Sequence, residues 1–512
     1  MNRQDAKTPR DFPQKRIHDH PTAERIVRNY KAATVSRFPR FFLGLYFLVS
    51  WCLGGEPFPS AAVAAIISTP QAVASQAASK PLPEALELTS RGFNLLSHND
   101  ASEAEAAFRQ AIDLQPEFAD AHRGLGLALW ARGQGSAALR ELQVATRLDP
   151  SDAEGHYELG KLAWTLSTRR DLLQVGASSQ SAQDYQNLAV AEIVKAAALK
   201  PQAAEIHLTL ARIYLDSGRT REALAEAQEA VRLAPDNAPA RVTLGRAYFA
   251  GGEEDKAASE FASALKLDPG EGDAHLALGQ LRLFQRRLPQ AEQEFRRAIQ
   301  VSPNLAPAYA ALAELLAQAG QTAEARRLLE KAVVLDPQDW HSQFQLAVLL
   351  NQAGEAGRAA ELLEKVTRLH PDFFPAREQL ALGLLRRGDL KGASAQADAL
   401  IARNPQAAEG HRVMALVLWK QRDFEGSLAE CAMSLSSDPD SAPMLALQSI
   451  GLWQLNRKKE AQAAFRQAAQ VEPKVGTAEV FCRLLLCDAR DIGVVGDFLR
   501  RNRWVIAPTP EP

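Results

Sequence analysis

Prolines set the ruler of this chain. They stand at 116, 150, 201, 235, 269, 303, 337, 371, 405, 439 and 473, and nine of the ten intervals are 34 residues long. The tenth, from Pro150 to Pro201, is 51, which leaves a 17-residue insertion in an otherwise unbroken phase. A fixed period of this length means one supersecondary unit stacked on copies of itself, because a single unit cannot bury its apolar face alone. Eleven units then cover residues 85–475, and a length that suggests about three globular domains becomes one array with flanks.

With each proline taken as position 32, the other positions fall into register. Position 8 holds Gly92, Gly126, Gly160, Gly245 and Gly279, with Ala211, Ala313, Ala347, Ala381 and Ala415 elsewhere. Position 20 is alanine in ten repeats and position 27 in eight, while position 24 is Phe108, Phe261, Phe295 or Phe465 in four. Small residues let two helices approach closely, and a bulky residue at 24 fills the gap that remains. Proline ends the second helix because it lacks the N–H and its ring clashes with the preceding turn. Gly133, Gly218, Gly252, Gly320, Gly354 and Gly388 recur at position 15, where the chain turns between helices. Ser427 and Ser434, at positions 20 and 27, make the tenth repeat the weakest match.

This pattern resembles the tetratricopeptide repeat family. The resemblance implies an all-α, right-handed α-solenoid of about eleven helix-turn-helix repeats, closed by a C-terminal capping helix. In that family the first helices line the concave face, so positions 2, 5, 9 and 12 are expected to meet a ligand. Position 12 carries Trp130, Trp164, Trp419 and Trp453, together with Phe249, and Arg123, Lys161, Arg212 and Arg246 accompany the first group. An aromatic and cationic strip suits an extended protein or peptide segment with acidic and apolar side chains. Some relatives clamp a terminal carboxylate with Lys at position 5 and Asn at position 9 of the first repeat. Thr89 and Phe93 stand there instead, which disfavours that mode.

Position 4, aromatic in the family, is His122, His156, His207, His275 and His411. Successive repeats hold these rings a full unit apart, too far to share an ion, so no metal is expected. The segment Gly155–Leu162 comes close to a phosphate-binding loop, but Leu162 replaces the hydroxyl that would hold magnesium and the segment lies inside a first helix. The flanks, 1–84 and 476–512, are too short for a catalytic domain. The chain is therefore read as non-enzymatic and without a cofactor.

Charge separates the amino terminus from the body. Residues 1–40 form a basic arm with ten Lys/Arg against four acids, a net +6, so residues 41–512 sum to −8. An acidic body is a poor nucleic-acid binder. The run Phe41–Leu53 has thirteen uncharged residues, short for a transmembrane helix and suited to the apolar core of an export signal. Ala62–Ala64 offers an A-x-A cleavage site, and Val35 is an alternative start. Residues 41–64 are thus expected to direct export to the periplasm or exterior, or else to anchor the chain in a membrane through 41–55, and 65–84 reads as an Ala/Pro/Ser-rich linker.

The insertion, within 167–186, is expected to extend the first helix of repeat three and return as a polar loop. Residues 476–512 are expected to cap the array, with Ala478–Leu486 helical and Asp491–Asn502 amphipathic through Ile492, Val495, Phe498 and Leu499. Cys482 and Cys487 are separated by about 140° on a continuous helix, so they are expected to be unrelated buried thiols, as is Cys431 at a core position. The function expected is a scaffold or adaptor for protein partners. The alternative is a structural accessory subunit of an envelope secretion, polysaccharide-export or pilus-assembly complex.

Overall fold

The computed structural model describes residues 80–169 and 179–502, whose regular structure is helical throughout, in two compact units divided between Leu400 and Ile401. In the first unit the pairs are Pro83–Ser97 with Ala101–Leu114, Ala119–Ala131 with Gly135–Leu148, Ala153–Thr168 with Ser179–Leu199, and Ala204–Asp216 with Thr220–Leu233. They continue as Ala238–Ala250 with Glu254–Leu267, Gly272–Phe284 with Leu288–Val301, Ala306–Gln318 with Thr322–Leu335, and Trp340–Gln352 with Ala356–Leu369. The ninth pair is Phe374–Arg386 with Leu390–Arg403, whose second helix carries the division. The second unit holds Ala408–Lys420 with Phe424–Ser437, Ala442–Gln454 with Lys458–Val471, and then Ala478–Leu485 and Ala489–Asn502. These are the eleven expected pairs and their cap. The basic arm, the apolar run and most of the linker lie outside the described residues, among which no helix is long and apolar enough to cross a membrane.

Within each unit a first helix packs on its own second helix and on the neighbouring pairs. In ten of the pairs the reversal passes through one left-handed residue at position 15; that of repeat three lies outside the described residues. The six expected glycines hold φ between 68° and 82°, and Asn99, Arg286, Arg422 and Asn456 take the same conformation where glycine is missing. The expected close contact is at position 8. A Cβ on Gly92, Gly245 or Gly279 would lie 2.6, 2.5 or 2.4 Å from the ring of Phe108, Phe261 or Phe295, all fully buried at position 24. Gly126 and Gly160 meet Leu142 and Ile193 in the same way. Where position 8 is alanine, position 24 shrinks to Leu329, Leu363, Ala227, Ala397 or Cys431. Burying each such Phe, Leu or Ile contributes about 1.5–3 kcal/mol. In repeat ten Ser427 and Ser434 are buried yet satisfied, donating to the carbonyls of Ala415 (2.9 Å) and Ala408 (3.1 Å) on the facing helix.

The position-4 histidines are staples. Nδ1 of His122, His156, His207, His275 and His411 meets Glu141, Glu192, Glu226, Glu294 and Glu430, each at position 23 of the same pair, at 2.5–2.8 Å. In four of them Nε2 reaches the carbonyl of the proline that ended the preceding repeat, at 2.9–3.2 Å. Arg241 repeats the arrangement with Glu260 and the Pro235 carbonyl, and Gln343 and Tyr309 keep the proline contact where position 23 is leucine. At His122 and His411 both ring nitrogens face acceptors, which only the imidazolium can satisfy. Burial opposes that charge. The carboxylate and carbonyl partners outweigh it, and both rings titrate above the ordinary histidine value.

Two expectations are corrected. The first helix of repeat three gains only three residues over its 13-residue neighbours, whereas the second begins at Ser179 and runs for 21 residues instead of 14. Part of the sequence read as a polar loop is therefore helix, and Gln186 on it donates to Ser217 of the next repeat at 2.8 Å. In the last helix Ile492 is 59% exposed while Asp491 is buried, because Lys420 and Arg422 of repeat ten pair with Asp491. Val495, Phe498 and Leu499 do face inward, and Phe498 sits 5.1 Å from Phe465 and 5.5 Å from Phe481, closing the open end of the core.

Two predictions follow from the contacts. Gly279→Ala and Phe295→Leu should couple: alanine at 279 is disfavoured opposite the fully buried ring but accommodated opposite leucine, as in the Ala313 and Leu329 pair. A double-mutant cycle on denaturant unfolding should give a coupling of about 1 kcal/mol, and additivity would refute the packing argument. Because the folded values of His122 and His411 are raised, their charged rings stabilise fully below about pH 6.5, and that contribution fades as the pH rises through the folded values. His122→Gln, which copies Gln343, should flatten the rise in stability between about pH 8 and pH 6. Parallel profiles for variant and parent would count against the charged staple.

Candidate functional site

The first helices present positions 2, 5, 9, 12 and 13 on one face, since these spacings of three and four return to the same side of a helix. Contacts between consecutive first helices run along it. In repeat three Tyr157, at position 5, donates to Glu205 (2.9 Å) and meets the Thr209 hydroxyl (3.0 Å), both in repeat four. Burial pushes the Tyr157 phenol up to about 12. Trp164 donates its indole N–H to Asp216 of repeat four at 3.1 Å. The crowding of the face raises the Asp216 carboxyl, against the pull of that N–H and of Arg246 and Arg212.

The four basic residues expected on this face have different fates. Arg123 is spent: only 16% exposed, it pairs with Asp120 (2.9 Å), Asp152 (3.3 Å) and Glu154 (3.7 Å) and lies 5.2 Å over the Phe93 ring, tying the first three repeats together. Lys161 pairs with Glu158 at 3.2 Å and covers the Tyr157 ring at 4.9 Å. Arg246 gives one nitrogen to Asp273 at 3.1 Å while its buried Nε has no partner. Arg212 is exposed and, among the described residues, meets no carboxylate within ion-pairing distance; its Nε lies 3.5 Å from the Thr243 hydroxyl. The reason is in the next repeat. Arg246, at position 9, finds Asp273 at position 2 of the following unit, whereas Arg212 finds Pro239 there.

The aromatic residues divide in the same way. Trp164 and Phe249 are partly buried on the first-helix face, and Phe249 stacks edge-to-face with Phe284 at 5.4 Å, itself 47% exposed. Trp130 is half-buried against the core of the first unit. Trp419 does not belong to the face: it is fully buried beside Phe424, with centroids 5.3 Å apart and an unpaired indole N–H. Trp453 is partly buried, as Trp164 is, but is met by Phe498 of the last helix at 5.8 Å. Both belong to the packing of the second unit, and the candidate site is confined to repeats three to six: Trp164, Arg212, Asp216, Arg246, Phe249 and Phe284. Asp216 and Phe284 stand at position 13, which the family positions 2, 5, 9 and 12 leave out; the i, i+4 relation to position 9 is the signal that finds them.

A tetratricopeptide repeat family model matches residues 91–153, 125–168, 170–238, 208–272, 242–306 and 379–442, and a second tetratricopeptide repeat model matches residues 285–349. No curated protein matches the chain. Among solved structures it is similar to a tetratricopeptide repeat protein from Parabacteroides merdae, at 17% identity over 59% of this chain and 99% of that one, with a TM-score of 0.37. It is also similar to pilF of Pseudomonas aeruginosa, at 20% identity over 41% of this chain and 96% of that one, with a TM-score of 0.37. A thermophilic tetratricopeptide repeat protein from Thermus thermophilus is 21% identical over 39% of this chain and 99% of that one, with a TM-score of 0.31. With family matches running over more than half of its residues, the chain belongs to the tetratricopeptide repeat family.

Proposed function

We propose that this protein is a non-catalytic adaptor that captures an extended peptide segment on the first-helix face of repeats three to six. The coarser statement, a protein-interaction scaffold, comes with family membership. The observation that carries the finer one is Arg212, an exposed guanidinium that among the described residues acts on Asp216 and Glu271 only from beyond ion-pairing distance, in a row whose other cations are paired. A partner carboxylate would complete it, and apolar side chains on either side would reach Trp164 and the Phe249–Phe284 pair. The spacing of these groups over consecutive repeats fits an extended chain better than a compact ligand. The partner is thus an acidic and aromatic or aliphatic protein segment, not nucleic acid, which an acidic array repels.

We further propose that the protein acts outside the cytoplasm. The basic arm followed by the thirteen-residue uncharged run and the Ala62–Ala64 site supports export, with anchoring through 41–55 as the alternative outcome of processing. Sequencing the mature amino terminus separates the two.

The test of the binding face uses the purified full chain and a library of extended peptides that vary acidic and aromatic positions. The expected selection is for peptides pairing a carboxylate with an aromatic side chain. Arg212→Glu and Trp164→Ala should each weaken the selected peptide about tenfold or more, the scale of an interface anchor, with unchanged helical circular dichroism. Selection of basic peptides, or binding indifferent to both substitutions, would overturn this assignment.

A further inference from the structure

The turn between the last two helices brings two cysteines together. Helix Ala478–Leu485 stops one residue before Leu486, which is left-handed at φ 51° and ψ 47°, and the N–H of Cys487 then donates to the carbonyl of Cys482 at 3.0 Å. This six-to-one closure is the helix-ending arrangement in which the residue after the left-handed one folds back over the last turn. The expectation that these cysteines point apart assumed a continuous helix. The helix ends between them, the backbone of Cys487 folds back onto Cys482, and both side chains are half-buried, that burial and the Cys482 thiol acting together to raise the Cys487 thiol. Cys431 is different: it is fully buried in the core of repeat ten, and burial pushes its thiol up to about 12.

The same turn fastens the cap. The Leu486 carbonyl accepts from the Lys420 ammonium at 2.7 Å, and Asp491, just beyond, takes Lys420 and Arg422. A leucine in a left-handed conformation is sterically disfavoured and persists only where its surroundings hold it. Here those surroundings are one backbone bond and one buried lysine.

We propose that Cys482 and Cys487 are an intrachain disulfide site that locks the turn holding the C-terminal cap on repeat ten. The oxidant is a disulfide of the small-thiol class. The Cys482 thiolate attacks one of its sulfurs, forming a mixed disulfide and expelling one thiolate. Cys487 then loses its proton and its sulfur attacks Cys482 in the mixed disulfide, expelling the second thiolate. Two protein thiols are oxidised, one external disulfide is reduced to two thiols, and two protons are released to solvent or to the departing thiolates. Burial and the adjacent Cys482 thiol raise the Cys487 thiol, so the second step is the slower one. The site is independent of the peptide-binding face, which lies in the other unit.

The experiment equilibrates the full chain in glutathione buffers from reduced to oxidised and alkylates free thiols without prior reduction. Peptide mapping then locates every linked and every free cysteine, Cys52 included. The expected result is a Cys482–Cys487 crosslink, the loss of two alkylatable thiols, Cys431 blocked only after unfolding, and greater resistance of the C-terminal helices to proteolysis in the oxidised form. Cys487→Ser should abolish the crosslink and leave Cys482 carrying glutathione. Separate glutathione adducts on both residues, free alkylation of both under oxidising conditions, or pairing of either with Cys52 or a second chain would overturn the proposal. The mapping of the unsubstituted chain decides this even if the variant does not fold.

Discussion

The structure depends on how closely two helices approach at position 8. With glycine there, the first helix lays its backbone directly on a side chain of the second, and the fully buried rings of Phe108, Phe261 and Phe295 occupy the volume a Cβ would need. With alanine there, the partner at position 24 is smaller, as in Ala347 with Leu363 or Ala381 with Ala397. The last repeat departs from this, setting Ser449 opposite Phe465, but there the ring has a second set of neighbours in Phe481 and Phe498. A ring at position 24 thus goes only with glycine or serine at position 8, and the separation of the helices sets how the first-helix face is presented. An alanine-rich chain with few aromatics is the compositional result.

The same prolines that end the second helices create the need met by position 4. A helix end leaves carbonyls without partners, and the proline carbonyl is one of them. The chain answers from the next repeat with a donor at position 4: histidine in four units, and Arg241, Tyr309 or Gln343 in others. Where that donor has a second nitrogen to satisfy, position 23 supplies an acceptor, glutamate opposite the histidines and Arg241, and Gln396 opposite Arg377; opposite Tyr309 and Gln343 it is leucine. The periodic histidines are therefore a device of stacking, and their regularity reflects the regularity of the prolines they bind.

The period made the fold legible. Helix pairs, left-handed turn residues and small-residue contacts all follow from counting back from a proline, because each repeat meets the same neighbours. What escaped counting is what depends on a neighbour that is not a copy. Trp419 and Trp453 share position 12 with Trp164, but they lie in the unit that also holds the terminal helices, where Phe498 meets Trp453. Cys482 and Cys487 came together because a helix ended early, a boundary no periodicity marks outside the array. Arg123 was readable as a cation but not as a neutralised one, since Glu154 arrives from the next repeat and Asp152 caps that repeat's first helix.

That last case bears on how a repeat face acquires specificity. Position 2 of one unit stands beside positions 5 and 9 of the unit before it, so every acid placed at position 2 tends to consume a cation that could otherwise meet a partner. Glu154 takes part of Arg123, Glu205 takes the Tyr157 hydroxyl, and Asp273 takes one arm of Arg246. Stability of the stack and availability of the face draw on the same side chains. Proline at position 2 breaks the competition without cost to the helix, because the first turn of a helix has no use for that N–H. Pro239 does this beside Arg212, in the stretch that also holds Trp164, Phe249 and the exposed Phe284. A proline that ends no helix and touches no partner thereby leaves a charge open for one.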